Sequence, residues 1–278
     1  MSQKAEQTLQ PISWDRHKSW SWHKPKGFEF ARRLRCVPIT LDETAAAAAS
    51  FTIVFTACPK GPMPQVLLRR YSCGSSPFVG LDGRWQASWL PPRLAASPFD
   101  ILEYPEGGHA LALHNDGGFV SGDEDPFRIF NANEGARPTL SPAVTEIAAV
   151  LKTHAEALAS TAHATTTLVE LGLLTALDPE ADERLRVVDH DVARALNETE
   201  IITLYRARAI GLLHASLVSL SHLPWMAKAE RLLAKSSAPR PKRKFKAPSN
   251  TPGANFLSAL AEAQAVESGP LHINGLKS

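Results

Sequence analysis

The stretch Ser141–Leu158 reads SPAVTEIAAVLKTHAEAL, and its apolar residues Val144, Ile147, Ala148, Leu151, Ala155 and Leu158 recur every three or four positions. That is the spacing of one face of an α-helix. Ser141 before Pro142 supplies the start, an N-cap with proline at the first helical position. Upstream the pattern is different. Phe51–Ala57 reads FTIVFTA, rich in β-branched and aromatic residues, and so predicts a strand. Gln65–Tyr71 (QVLLRRY), Arg84–Leu90 (RWQASWL), Phe99–Tyr104 (FDILEY) and His109–His114 (HALALH) follow as further short strands between turns. Strands first and helices later predict an α+β fold: a mostly antiparallel N-terminal β-sheet, a helical C-terminal half, then a disordered basic tail.

Working outward, the β-rich part runs over 51–131 and the helical part over 141–226, within one domain of 41–234. Pro59–Pro64 (PKGPMP) predicts a loop. Thr40 and Glu43 have capping-box spacing ahead of the Ala45–Ala49 run, which predicts a helix before the first strand. Leu168–Leu174 reads as a second helical stretch with Gly172 as its stop. Asn197 and Glu200 cap a further helix that runs to about His222, where Pro224 opposes continuation. Ser236–Pro252 is rich in Pro, Ser, Lys and Arg and reads as a linker, with a short amphipathic patch at Phe256–Val266 beyond it.

The chain has 278 residues, 44% hydrophobic and 21% charged, which excludes wholesale disorder, collagen and coiled coil. Three cysteines, with no Cys-x-x-Cys pair, exclude a disulfide scaffold and a zinc knuckle. The longest apolar run, Ala45–Cys58, falls short of the ~20 residues that span a bilayer, and Met1–Pro25 has no signal-peptide pattern. These features predict a cytoplasmic protein without a transmembrane segment. The net charge of +2 is unevenly spread: residues 1–40 carry +5, 41–234 carry −8 and 235–278 carry +5. The basic segment 1–40 leads into an acidic body, and basic ends favour acidic partners.

Several residue sets stand out for chemistry. Asp82-Gly83 is a tight-turn pair leading through Arg84 into Trp85. Trp85 and Trp89, four apart, share one face of a strand and form either core indoles or a ligand platform. His114-Asn115-Asp116 places a His and an Asp on one strand face, the first two ligands of an iron facial triad that His154, His163 or His190 would complete. The alternative is a surface His with Asp116 capping a turn. His214, among Leu212, Leu213 and Leu217, reads as a buried core histidine, and His222 lies eight residues on. Asp189-His190-Asp191 reads as a turn cap. The tail Arg240, Lys242, Arg243, Lys244 and Lys246 puts five cations in seven residues, suited to phosphate backbones or anionic lipid. No Gly-x-Ser-x-Gly, Walker, Rossmann or His-Glu-x-x-His motif is present.

Four stretches carry a family likeness. His17–Thr40 has a His, a basic-aromatic run, Phe30-Ala31 and Val37-Pro38-Ile39. Thr52-Ile53-Val54-Phe55 follows. The most specific is Phe78-Val79-Gly80-Leu81-Asp82-Gly83-Arg84-Trp85 with Leu90-Pro91 and Pro98-Phe99. The last is Leu168–Leu174 with His214–Leu223. Over roughly residues 12–226 the chain resembles the SapC family, named after a component of a bacterial surface-array (S-layer) protein locus. It departs from the pattern at Ala95-Ala96-Ser97, where two basic residues and a Tyr are usual, and at Trp89, where a Tyr is usual. The resemblance implies a bacterial protein in a setting of surface-protein secretion, outer-membrane uptake or peptide modification. It implies no catalytic residue. The leading expectation is therefore an accessory protein acting through protein–protein contacts, with no cofactor. The alternatives are a non-haem iron oxygenase built on His114 and Asp116, and nucleic-acid or anionic-membrane binding through the tail.

Overall fold

The computed structural model describes residues 9–58, 61–71, 74–104, 107–114, 127–131, 138–178 and 182–237. These belong to a compact unit, Met1–Ser237; the second unit, Ala238–Ser278, lies outside the described residues, and with it the basic tail and the Phe256–Val266 patch. In chain order the strands are β1 (Leu9–Pro11), β2 (Ser21–Trp22), β3 (Cys36–Pro38), β4 (Ile53–Cys58), β5 (Gly61–Leu67), β6 (Phe99–Glu103), β7 (His109–His114), β8 (Phe127–Arg128), β9 (Phe130–Asn131), β10 (Thr139–Leu140), β11 (Leu174–Asp178) and β12 (Asp182–Val188). The helices are α1 (Trp14–His17), α2 (Thr44–Ala48), α3 (Pro92–Ala95), α4 (Pro142–Glu170), α5 (His190–Arg194), α6 (Glu198–Arg206), α7 (Ile210–Ser219) and α8 (Leu223–Ser237). The fold is α+β, with antiparallel sheets first and a helical C-terminal half, as the sequence predicts.

Two sheets organise the body. A five-stranded antiparallel sheet has the order β11-β12-β4-β5-β3, and a three-stranded one the order β1-β7-β6. β4 is central, and Phe51, Ile53, Val54 and Phe55 in and beside it are fully buried. A strand covered on both faces reads as a continuous apolar run, which is why FTIVFTA does not alternate. Helix α7 packs on β4, and α4 packs on both β5 and β6. At 29 residues α4 is about 43 Å long, enough to serve two cores. Its Val144 and Leu151 join Trp22, Phe99, Leu113 and Ile129 in one cluster; Ala164 and Leu168 join the β4 cluster.

The local signals hold where they are chemical. The Thr40–Glu43 box forms, with Thr40 N donating to Glu43 Oε2 at 2.7 Å, and the Asn197–Glu200 box forms at the start of α6. Asp189 caps α5, its Oδ1 accepting from Asp191 N and Val192 N. Ser141 takes the N-cap position of α4 with Pro142 in its first turn, but its hydroxyl makes no capping bond.

Other expectations are corrected. Gly61–Pro64 is strand, not loop: Pro64 O accepts from Ile39 N, so the missing N–H of Pro64 faces the end of β3, and the pairing of Pro64 with Phe55 on β4 is kept. That strand ends at Leu67, short of Tyr71. Arg84–Leu90 is not a strand; it holds one bridge residue, Trp85 opposite Val79. Leu168–Leu174 is not a second helix: Leu168–Glu170 is the last turn of α4, Gly172 stops it at φ +67, and Leu174 opens β11. The β11–β12 hairpin joins the main sheet from inside the helical half. Its alternation is broken by charges, which hides it from a periodicity reading. The helix after Asn197 is two helices, broken at Arg208 with φ 57. Pro224 lies in the first turn of α8, where its lost N–H is no cost, so it does not end the helical run.

Candidate functional site

Two places where polar or aromatic side chains gather are candidate sites. The first is the turn at Gly80–Arg84. Val79 pairs with Trp85 across it, Gln86 N donates to Phe78 O at 2.9 Å, and Gly80 N donates to Arg84 O at 2.8 Å. Asp82 Oδ1 accepts from Arg84 N at 3.1 Å, the local bond for which Asp suits a turn. Gly83 sits at φ +82, and a methyl group there would also overlap the Glu29 carboxylate. Only glycine meets both conditions without strain.

The segment 28–33 clamps this turn from outside. Phe28 N donates to Gly83 O at 2.7 Å, and Arg32 Nη2 donates to Gly80 O at 2.6 Å and Leu81 O at 3.3 Å. Beneath the turn lies an aromatic block. Phe51 and Phe78 rings are 4.5 Å apart, Phe28 and Trp85 5.6 Å, and Phe78 and Trp225 5.4 Å. Trp85 Nε1 donates to Trp89 O at 2.8 Å, so the indoles are tied together without a strand between them. Both are half-buried and pack on the β4 core, the arrangement of core indoles. What the turn exposes is its apex. Leu81 is 83% exposed, and the Arg84 and Asp82 side chains, 3.4 Å apart, flank it in solvent. Leu81, Arg32 and Glu29 were not singled out from sequence; the only signal was an apolar residue placed between two turn formers.

The second place is Arg93, Asp100 and His114. Asp100, on β6, is buried; its Oδ2 accepts from Arg93 Nη2 at 2.7 Å and lies 3.2 Å from His114 Nε2 on β7. Asp100 Oδ1 accepts from Ile101 N. Burial pushes the Asp100 carboxyl up, but the His114 bond and the Arg93 charge outweigh it and hold the group at about 2. His114 therefore has one ring nitrogen committed to Asp100, beside a guanidinium, and the other, Nδ1, buried. Asp116 lies outside the described residues. His154 pairs through Nδ1 with Glu43 at 3.5 Å, His163 is exposed on α4, and His190 starts α5. Among the described residues, no three His, Cys, Asp or Glu side chains are grouped as a metal site. The iron reading pairs His114 with Asp116, which is not among the described residues.

The helix histidines part company. His214 is exposed on α7, not a core residue, because the helix buries Leu212, Leu213, Ala215 and Ser216 instead. His222 Nε2 bonds Ala48 O at 2.8 Å and fastens the end of α2 to the last helices. Arg240, Lys242, Arg243, Lys244 and Lys246 lie outside the described residues.

No curated protein matches the chain, and neither does any solved structure. The SapC family model matches residues 12–225, from the segment before α1 into the first turn of α8. That span takes in the five-stranded sheet, β6 and β7 of the other sheet, the clamped turn and α4, and on it the chain belongs to the SapC family.

Proposed function

We propose that this SapC-family protein is a cytoplasmic accessory protein that acts through protein–protein contact rather than catalysis. The observation that carries this reading is Leu81. A large apolar side chain stands 83% exposed at the apex of a turn that Arg32, Phe28 and the glycine at 83 hold in one shape. A preformed apolar apex with charged neighbours costs little entropy to dock, and it fits the anchor-and-rim pattern of protein interfaces. The chemistry-bearing groups support the same reading, since Asp100 and Glu43 spend themselves on neighbouring His, Arg and Thr residues. The setting of surface-protein secretion, outer-membrane uptake or peptide modification is the one the family name suggests. Photo-crosslinking in the native host tests it: a photoreactive residue at 81 is expected to give a discrete protein adduct. Its loss on Arg32→Ala, with folding intact, is the expected control. No adduct at 81 above an exposed control such as 199 overturns the reading.

A further inference from the structure

The last helices carry a second exposed apolar face, and it differs from the first in charge. From α7 through the 3-10 turn Leu220–His222 into α8 the chain is helical, and Ile210, Val218, Trp225 and Leu232 recur at spacings of seven or eight. Two helical turns separate each from the next, so they share one side. All four are solvent-facing, at 38%, 50%, 50% and 58% exposure. The other side of the same run is the core-facing one, with Leu212, Leu213 and Met226 buried. Tyr205, at the end of α6, is 75% exposed beside this run's start.

The outward charges that this segment itself carries have one sign. Between Ile201 and Ser237 the chain has five cations, Arg206, Arg208, Lys228, Arg231 and Lys235, and all five are exposed. It has one acid, Glu230, and that carboxylate turns inward, its Oε1 accepting from Arg70 N at 2.5 Å. An apolar helical stripe bearing Val, Ile, Leu and Trp, edged by Lys and Arg with no outward acid, is the pattern of a helix that lies in a membrane interface. Nucleic acid fits less well, because Val218, Ile210 and Leu232 offer no base-stacking surface. An acidic protein face would match the cations but not this run of aliphatic residues.

Among the described residues no single helix is long and apolar enough to cross a membrane. The pair Glu198–Arg206 and Ile210–Lys235 passes by length and composition only together, and it is bent by 102°. With Leu204, Leu212 and Met226 held in the body's core, the bent pair cannot straighten into a span without unfolding that core. We propose that the outer face of α7–α8 seats the protein peripherally on an anionic lipid surface, with Val218, Trp225 and Leu232 entering the headgroup region and Lys228, Arg231 and Lys235 on the phosphates. This face adjoins the block beneath the Leu81 turn, since Trp225 packs 5.4 Å from Phe78, but Leu81 itself is not on α7–α8, so different substitutions test the two surfaces.

Co-sedimentation of the full chain with large vesicles tests it. Binding to mixed phosphatidylcholine–phosphatidylglycerol vesicles is expected, with little on phosphatidylcholine alone and loss in about 0.5 M salt. Val218→Asp and Leu232→Asp are each expected to cut partition by at least about tenfold, and Lys228→Glu with Arg231→Glu by more. Leu81→Asp is expected to leave it unchanged. Circular dichroism melts show whether each variant is folded, and Trp225→Phe, followed by emission on lipid addition, reports insertion without an added charge. Absence of binding to the anionic vesicles overturns the proposal. So does binding that survives Val218→Asp and Leu232→Asp but is abolished by neutralising Arg240–Lys246, or tighter binding to duplex DNA that those aspartates do not weaken.

Discussion

The turn at Gly80–Arg84 and the Arg93–Asp100–His114 cluster are built from opposite materials. In the cluster, the charged groups face each other: Asp100 is buried, and Arg93 and His114 are each about one-third exposed, at 31% and 32%. At the turn, the polar contacts hold the backbone from behind while an apolar side chain and a weak surface ion pair face the solvent. The comparison teaches where the free energy is spent. The charges of the cluster are turned on one another. The turn spends its hydrogen bonds on shape and leaves Leu81 unsatisfied.

Substitutions break this contrast in a definite order. Asp100→Ala is expected to cost the most, about 2–3 kcal/mol by urea denaturation, because it strands Arg93 and His114 at a site already partly open to screening. The same carboxylate sets the acid limb. Its folded pKa, about 2, lies below the unfolded 3.8, so its contribution is complete above about pH 4 and is lost as pH falls towards 2. Its size is about 2 kcal/mol. Asp100→Asn is expected to flatten that limb in melts taken between those pH values, and an unchanged limb would place the acid sensitivity elsewhere. Next comes Gly83→Ala, at about 1–2 kcal/mol from the positive φ alone, since the Glu29 carboxylate it meets can swing away. Arg32→Ala follows at about 1 kcal/mol, the loss of two carbonyl partners at a partly exposed site. Leu81→Asp is expected to change stability by no more than about 0.5 kcal/mol while removing the contact at the apex.

The sequence disclosed the fold where its signals are local chemistry. Both capping boxes, the Asp189 cap and the Asp-Gly turn form as their residue types dictate, and α4 starts at Ser141-Pro142 as read although the serine hydroxyl makes no capping bond. It misled where burial overrides pattern. Gly61–Pro64 looks like loop because proline breaks most strands, yet here the missing donor faces a strand end. β11–β12 looks helical in context because Asp182–Arg186 is charge-rich. His214 looks like a core residue because its neighbours are leucines, but a helix has two sides and His214 is on the outer one. At the candidate site, the turn was readable and its clamp was not. Arg32 lies 48 residues from Gly80 in sequence, and nothing local announces that its guanidinium reaches those carbonyls. Asp100 reaches His114 across the β6–β7 pairing of Asp100 with Ala112, a contact nothing local to His114 announces, while Asp116 lies outside the described residues.

The central claim is that Leu81 makes the functional contact and the Asp100 cluster does not. Adduct formation by a photoreactive residue at 81 in the native host, scored in Asp100→Asn and Arg32→Ala backgrounds matched for folded fraction, tests it most directly. The account predicts an adduct that persists with Asp100→Asn and falls with Arg32→Ala. An adduct that vanishes with Asp100→Asn and survives Arg32→Ala would contradict it.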